Sequence, residues 1–164
     1  MSRLAPLLLI LAPLAATAEG FALDDLRRLD ADGALLGAEW QAEATGAQRL
    51  TYACVGCDPL AAVDVVLGRQ DDGTEDRVRS GETTMESLEA LCQSRDPSCT
   101  LERVDVGPAA GWVTTYRGTF AGSTTVLLRD GDMLTIRAIA GDPATARGYG
   151  DRVRDAIAAE IIGD

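Results

Sequence analysis

The sequence predicts an α+β domain: an antiparallel sheet meander packed by a C-terminal helix and one or two shorter helices. Three observations carry that expectation. Apolar residues recur at every second position in short runs separated by turn residues. Asp130-Gly131 lies between two such runs, as a two-residue hairpin demands. The C-terminal segment switches to helical spacing behind Asp142-Pro143, a cap followed by a first-turn proline. The chain has 164 residues, no internal repeat and no Pro- or Ser-rich linker, so a single domain is expected over residues 19–164.

The elements follow in order. Leu23, Leu26 and Leu29 recur every third residue, which predicts a short amphipathic helix over Phe21–Asp30, ending near Gly33. Ala38, Trp40, Ala42 and Ala44 alternate with Glu39, Gln41 and Glu43, the pattern of a half-buried strand. After Thr45-Gly46-Ala47, a second strand places Leu50, Tyr52 and Cys54 inward and Arg49 and Thr51 outward. Leu60–Leu67 reads as a third strand, with a helix opened by Asp58-Pro59 as the alternative. Gln70–Gly81 is polar and reads as an exposed loop. Thr83 with Glu86 forms a capping box, so a helix is expected over about Thr84–Gln93, with Met85, Leu88, Leu91 and Cys92 inward.

The second half is more regular. Thr100–Val106 is a strand, and Gly107-Pro108 turns the chain. Trp112, Thr114, Tyr116 and Phe120 share one parity, which predicts a buried aromatic face. Thr124–Arg129 and Met133–Ala140 flank the Asp130-Gly131 turn, with Leu134, Ile136 and Ala138 inward. In the last helix, Ala146, Tyr149, Gly150, Val153, Ile157 and Ile161 form the apolar stripe. Arg147, Asp151 and Arg154 are expected outside it, and Gly163 stops the helix. In this order of elements the chain resembles, at the level of fold alone, the PsbP-like periplasmic and lumenal proteins. That resemblance implies a sheet-and-helix sandwich and no particular activity.

The N-terminus reads as an export signal. Met1-Ser2-Arg3 is a short positive region and Leu4–Leu14 an apolar run. Ala16-Thr17-Ala18 then supplies the small-x-small pattern of a cleavage site. The run is shorter than the ~20 residues that span a bilayer core. Cleavage after Ala18 is expected to leave a mature chain starting at Glu19, without a membrane span, in the periplasm.

The formal net charge is −11, and losing Arg3 with the leader makes it −12. So acidic a chain repels phosphate backbones and anionic lipid headgroups, which argues against a nucleic acid partner. All 15 basic residues are Arg, and the sequence has no His. Imidazole metal ligands and Ser-His or Cys-His catalysis are therefore excluded.

Four cysteines, Cys54, Cys57, Cys92 and Cys99, read first as two disulfides in an exported chain. The local pairing Cys54–Cys57 with Cys92–Cys99 leads, and a crossed pairing stays open beside it. Cys54-Val55-Gly56-Cys57 is also a CxxC. Asp58 stands where a c-type haem site needs His. A thioredoxin-like redox pair needs its first thiol at a helix N-terminus, which Asp58-Pro59 would have to open.

Weaker patterns add little. Asp30, Asp32, Gly33 and Glu39 resemble part of a calcium loop, but Arg28 occupies the first ligand position. Asp71, Asp72, Glu75 and Asp76 sit in a segment read as solvated, where neither acid of a pair is tuned. Trp112, Tyr116 and Phe120 form a candidate ligand or partner face. The expectation is a non-catalytic binding or accessory protein without metal or cofactor, its partner a periplasmic protein or small ligand. The rival is a thiol–disulfide or metal-handling protein using Cys54 and Cys57.

Overall fold

The computed structural model describes residues 20–164; the expected signal peptide and its cleavage point lie outside the described residues. Seven strands form one antiparallel sheet: β1 (Trp40–Gly46), β2 (Arg49–Cys54), β3 (Ala62–Arg69), β4 (Thr100–Val106), β5 (Ala109–Arg117), β6 (Ala121–Arg129) and β7 (Asp132–Ala140). Their spatial order is β1-β2-β3-β7-β6-β5-β4. The β3–β4 connection carries two helices, α1 (Thr74–Ser80) and α2 (Met85–Gln93), to the far edge. From there the chain meanders back. The third helix, α3 (Pro143–Ile162), packs on the sheet.

Parity organises the packing. Tyr52 faces Val63, Val63 faces Ala138, and Ala138 faces Ser123 across four strands. That row and its neighbours Leu50, Val65, Ile136, Leu134 and Leu127 are buried, together with Val153, Ile157 and Ile161 of α3. A strand's side chains alternate between the two faces, so one helix laid on the sheet selects one parity in every strand beneath it. Asp142 caps α3 by accepting from the Thr145 amide, Pro143 opens its first turn, and Gly163 ends it with φ 77°. Asp130 and Gly131 both have positive φ, at 52° and 84°, as the tight β6–β7 turn requires.

The N-terminal segment departs from the expected helix. Only Leu26–Arg28 forms a turn of 3-10 helix, followed by a second over Gly33–Leu35. The backbone has other partners: Ala22 and Leu23 donate to the carbonyls of Ile162 and Ile161, and Leu26 donates to Ala47. Leu23, Leu26 and Leu29 are buried as expected, but from an extended path.

Gln70–Gly81 is not a loop, because α1 forms within it. Gly73 enters the helix in the left-handed conformation, and the Asp72 side chain accepts from the Thr74 amide. Glu75 and Asp76 occupy the first turn and Arg77 and Arg79 the last, the order the helix dipole favours. Val78 is buried. Helix α1 packs against β5, where Ala110 and Leu128, paired on the parity opposite the α3-covered face, are also buried. Glu75, only 8% exposed, accepts from Arg79 Nε at 2.8 Å and from the Gly131 amide at 3.2 Å. Arg79 donates onward to the Pro108 carbonyl at 2.6 Å. One helical turn thus ties the β4–β5 and β6–β7 hairpins together.

Three smaller differences follow from neighbours the sequence does not display. The cap of α2 is Thr84, one residue later than the capping box places it, and it accepts from Ser87. No residue of α2 is buried, and Leu91 is 58% exposed, since α2 lies beside the edge strand β4 instead of over the sheet. Arg147, Asp151 and Arg154 are not fully outside: they form a half-buried chain of ion pairs that reaches Glu102 on β4.

Replacing Glu75 with Ala should lower the unfolding free energy by about 1–3 kcal/mol, because the Gly131 amide and Arg79 lose their shared acceptor. Urea denaturation would measure it, with the exposed neighbour substitution Asp76→Ala leaving the midpoint near wild type.

Candidate functional site

Strand β2 ends at Cys54, which is buried and directly opposite Trp40 of β1. The chain then turns through Val55–Leu60, held by the Val55 amide on the Glu39 carbonyl and the Cys54 amide on the Ala61 carbonyl. Gly56 has φ 87°. This turn lets Cys57 come back to Cys54 and close a disulfide with Cα atoms 5.6 Å apart. The second bridge joins Cys92 to Cys99, with Cα atoms 5.9 Å apart, and fastens the end of α2 to the start of β4. The leading pairing is therefore the one present. Closing the longer of the two loops stabilises the fold by about 2.5 kcal/mol on the chain-entropy model. Two closed disulfides fit an oxidising compartment. No helix among the described residues is long and apolar enough to cross a membrane.

The β2–β3 connection meets the start of α3. A cleft of about 520 Å³ opens between them, lined by Cys57, Asp58, Pro59, Gly141, Asp142 and Tyr149. Gly141 is required there: a Cβ would run into the Pro59 ring. Tyr149 packs edge-on to Trp40, with ring centroids 4.7 Å apart, and the Arg152 guanidinium lies over its ring, 5.0 Å from the centroid. The aromatic pair links the cleft to the core behind the disulfide. Asp142 accepts the Thr145 hydroxyl at 2.6 Å and its amide at 3.0 Å. Those two bonds, the hydroxyl's first, hold its carboxyl below the usual range.

The same end of the sheet carries three large apolar side chains in water: Val55 at 59% exposure, Leu60 at 55% and Phe120 at 58%. Phe120 precedes β6, beside the strand end where Ala121 pairs with Ala140. The neighbouring Arg117 amide donates to Ser98 Oγ, which joins this turn to the Cys92–Cys99 loop. The expected burial of the aromatic stripe is overturned. The core-facing parity of β5 is that of Ala109 and Val113, while Trp112 and Tyr116 are half-buried on the opposite face. Tyr116, opposite Gly122, lies at the same end of the sheet as Phe120, and of the three aromatics Phe120 alone is largely exposed.

The chemistry of this end is limited. The residues after Cys57 form a turn leading into β3, so the helix proposed to start at Asp58-Pro59 is absent. The helix dipole that the redox reading required beside the first thiol is therefore not available. The N-terminus of α3 borders the cleft instead, but Asp142 already satisfies it with a negative charge. Asp32 is likewise committed, accepting the Ala34 amide in the 3-10 turn. Tyr149 and Arg152 are contributors that the sequence did not single out. Tyr149 reads there as ordinary helix stripe, and only its pairing with Trp40 sets it apart.

No family model matches the chain, and no curated protein matches it at a significant level.

Because the Asp142 carboxyl lies below its ordinary value of 3.8, its cap is at full strength above that pH and weakens as pH falls through the folded value. Asp142→Ala should therefore lower the Tm at neutral pH. The gap from wild type should close progressively below about pH 3.8 in thermal scans.

Proposed function

We propose that the protein is an exported, non-catalytic binding or accessory domain of the periplasm. In this reading the disulfide end of the sheet is its contact surface and a protein or small ligand its partner. The observation that carries it is the exposure of Val55, Leu60 and Phe120 at the end that also holds the cleft beside Cys57. Large apolar side chains kept in water together favour a bound neighbour over solvent. The leader pattern of residues 1–18 and the two disulfides support export. The absence of His from the sequence leaves the cysteines without an imidazole base. A second reading, thiol–disulfide exchange or metal handling through Cys54 and Cys57, draws support from Cys57 lining an open cleft.

Two measurements separate these. Recovered from the periplasmic fraction of a Gram-negative host, the protein should begin at Glu19; a cytosolic product still starting at Met1 contradicts export. Under mild reductant, with the circular dichroism spectrum unchanged, all four cysteines should stay unlabelled by iodoacetamide at neutral pH. Fast labelling of one thiol in the folded chain would transfer the assignment to redox chemistry.

A further inference from the structure

The sheet has two edges, and one of them, β4, is only partly covered, by α2. At β1 the 3-10 turns of the N-terminal segment pack alongside, so closely that a Cβ on Gly33 would run into the Trp40 carbonyl. At the other edge, β4 pairs with β5 alone among the described residues. The amide of Leu101 donates to Glu89 of α2 at 3.1 Å and so points away from β5. Outward-facing backbone groups alternate along an antiparallel strand. Those of Arg103 and Asp105 therefore face out as well, beyond the stretch that Glu89 reaches. Both residues are exposed, while Val104 between them is half-buried on the α3 side of the sheet.

We propose that this edge is an interaction surface for a second copy of the chain, pairing β4 with β4 antiparallel about Val104. The proposal goes beyond the functional reading above and does not depend on it. Its basis is charge complementarity. Centred on Val104, the two-fold pairing sets Arg103 opposite Asp105 of the other copy, twice, and Val104 opposite Val104. A pairing centred on Glu102, Arg103 or Asp105 sets that charged residue against itself. Only the Val104 register combines open backbone groups with opposite charges across the seam, and like charges directly opposite are destabilising in a sheet. Within one copy Arg103 and Asp105 already meet at 3.3 Å, an exposed contact that the cross-strand pairs replace. Charges on an edge strand ordinarily deter pairing; placed symmetrically about one residue, they select a register. The reciprocal backbone bonds of Arg103 and Asp105 join the two sheets into one.

Sedimentation velocity over a concentration series tests this. The wild-type mass should move from one chain toward two as concentration rises. R103D and D105R should each weaken association by roughly tenfold or more, because each places like charges opposite one another. The double variant R103D/D105R should recover it. An equimolar mixture of the two single variants should form a heterodimer, since one then carries two acids and the other two guanidinium groups along the seam. A wild type that stays at one chain throughout overturns the proposal. So do single variants that associate as well as wild type, or a double variant that fails to recover.

Discussion

The burial of one sheet face beneath α3 is the constraint from which the rest of this molecule follows. Asp142 and Pro143 start that helix at one end of the sheet, and Gly163 stops it at the other. Between them Ala146, Val153, Ile157 and Ile161 cover Ala138, Ile136, Leu134 and Leu127. Once those contacts are made, pairing fixes the orientation of each neighbouring strand. A shift by one residue would turn Leu50, Tyr52 and Cys54 outward together. The position of the CxxC therefore depends on the packing of α3, although the two are far apart in sequence. Cys54 is buried because Tyr52 is, and the disulfide can form because Cys57 then lies one tight turn away.

The opposite face is organised by fewer contacts. Val78, Ala110 and Leu128 make a small second core, closed at its rim by Glu75 and Arg79. This is the part of the molecule where charge replaces apolar area. A carboxylate that is nearly buried is tolerable because a guanidinium and a backbone amide both meet it. The Arg147–Asp151–Arg154 series repeats the device along α3. In a chain whose basic residues are all Arg, the planar fork serves repeatedly as a bridge between backbone carbonyls and acids.

Strands were legible wherever apolar and polar residues alternated, from Trp40–Ala44 to Leu134–Ala138, and so was the long helix behind its cap. The hairpin at Asp130-Gly131 was legible because two adjacent positive-φ residues have few other uses. The segment over Gln70–Gly81 was not, since α1 buries one apolar residue, Val78, and a single buried position has no period. The Phe21–Asp30 segment misled in the other direction. Its leucine spacing is helical, yet the carbonyls of Ile161 and Ile162 take its amides, and they lie at the far end of the chain. Trp112 and Tyr116 show the same limit for a sheet: alternation identifies two faces but not which one a helix will cover. The cysteines are legible from their count and spacing alone. The cleft beside them is not, because it depends on Pro59 meeting Gly141 and on Tyr149 meeting Trp40.

The docking of Ala22 and Leu23 against the last turn of α3 brings both termini of the described chain to one pole. Arg129 reinforces it by donating to the carbonyls of Ile162 and Asp164. The cleft lies at the other pole, about 30 Å away along a helix of this length. A tether, tag or fused module attached at either end of the described chain would thus hold the molecule by its base and leave Val55, Leu60 and Phe120 exposed at the opposite pole. Chain ends this close would also let the backbone be rejoined there and reopened in an exposed turn without redrawing the sheet.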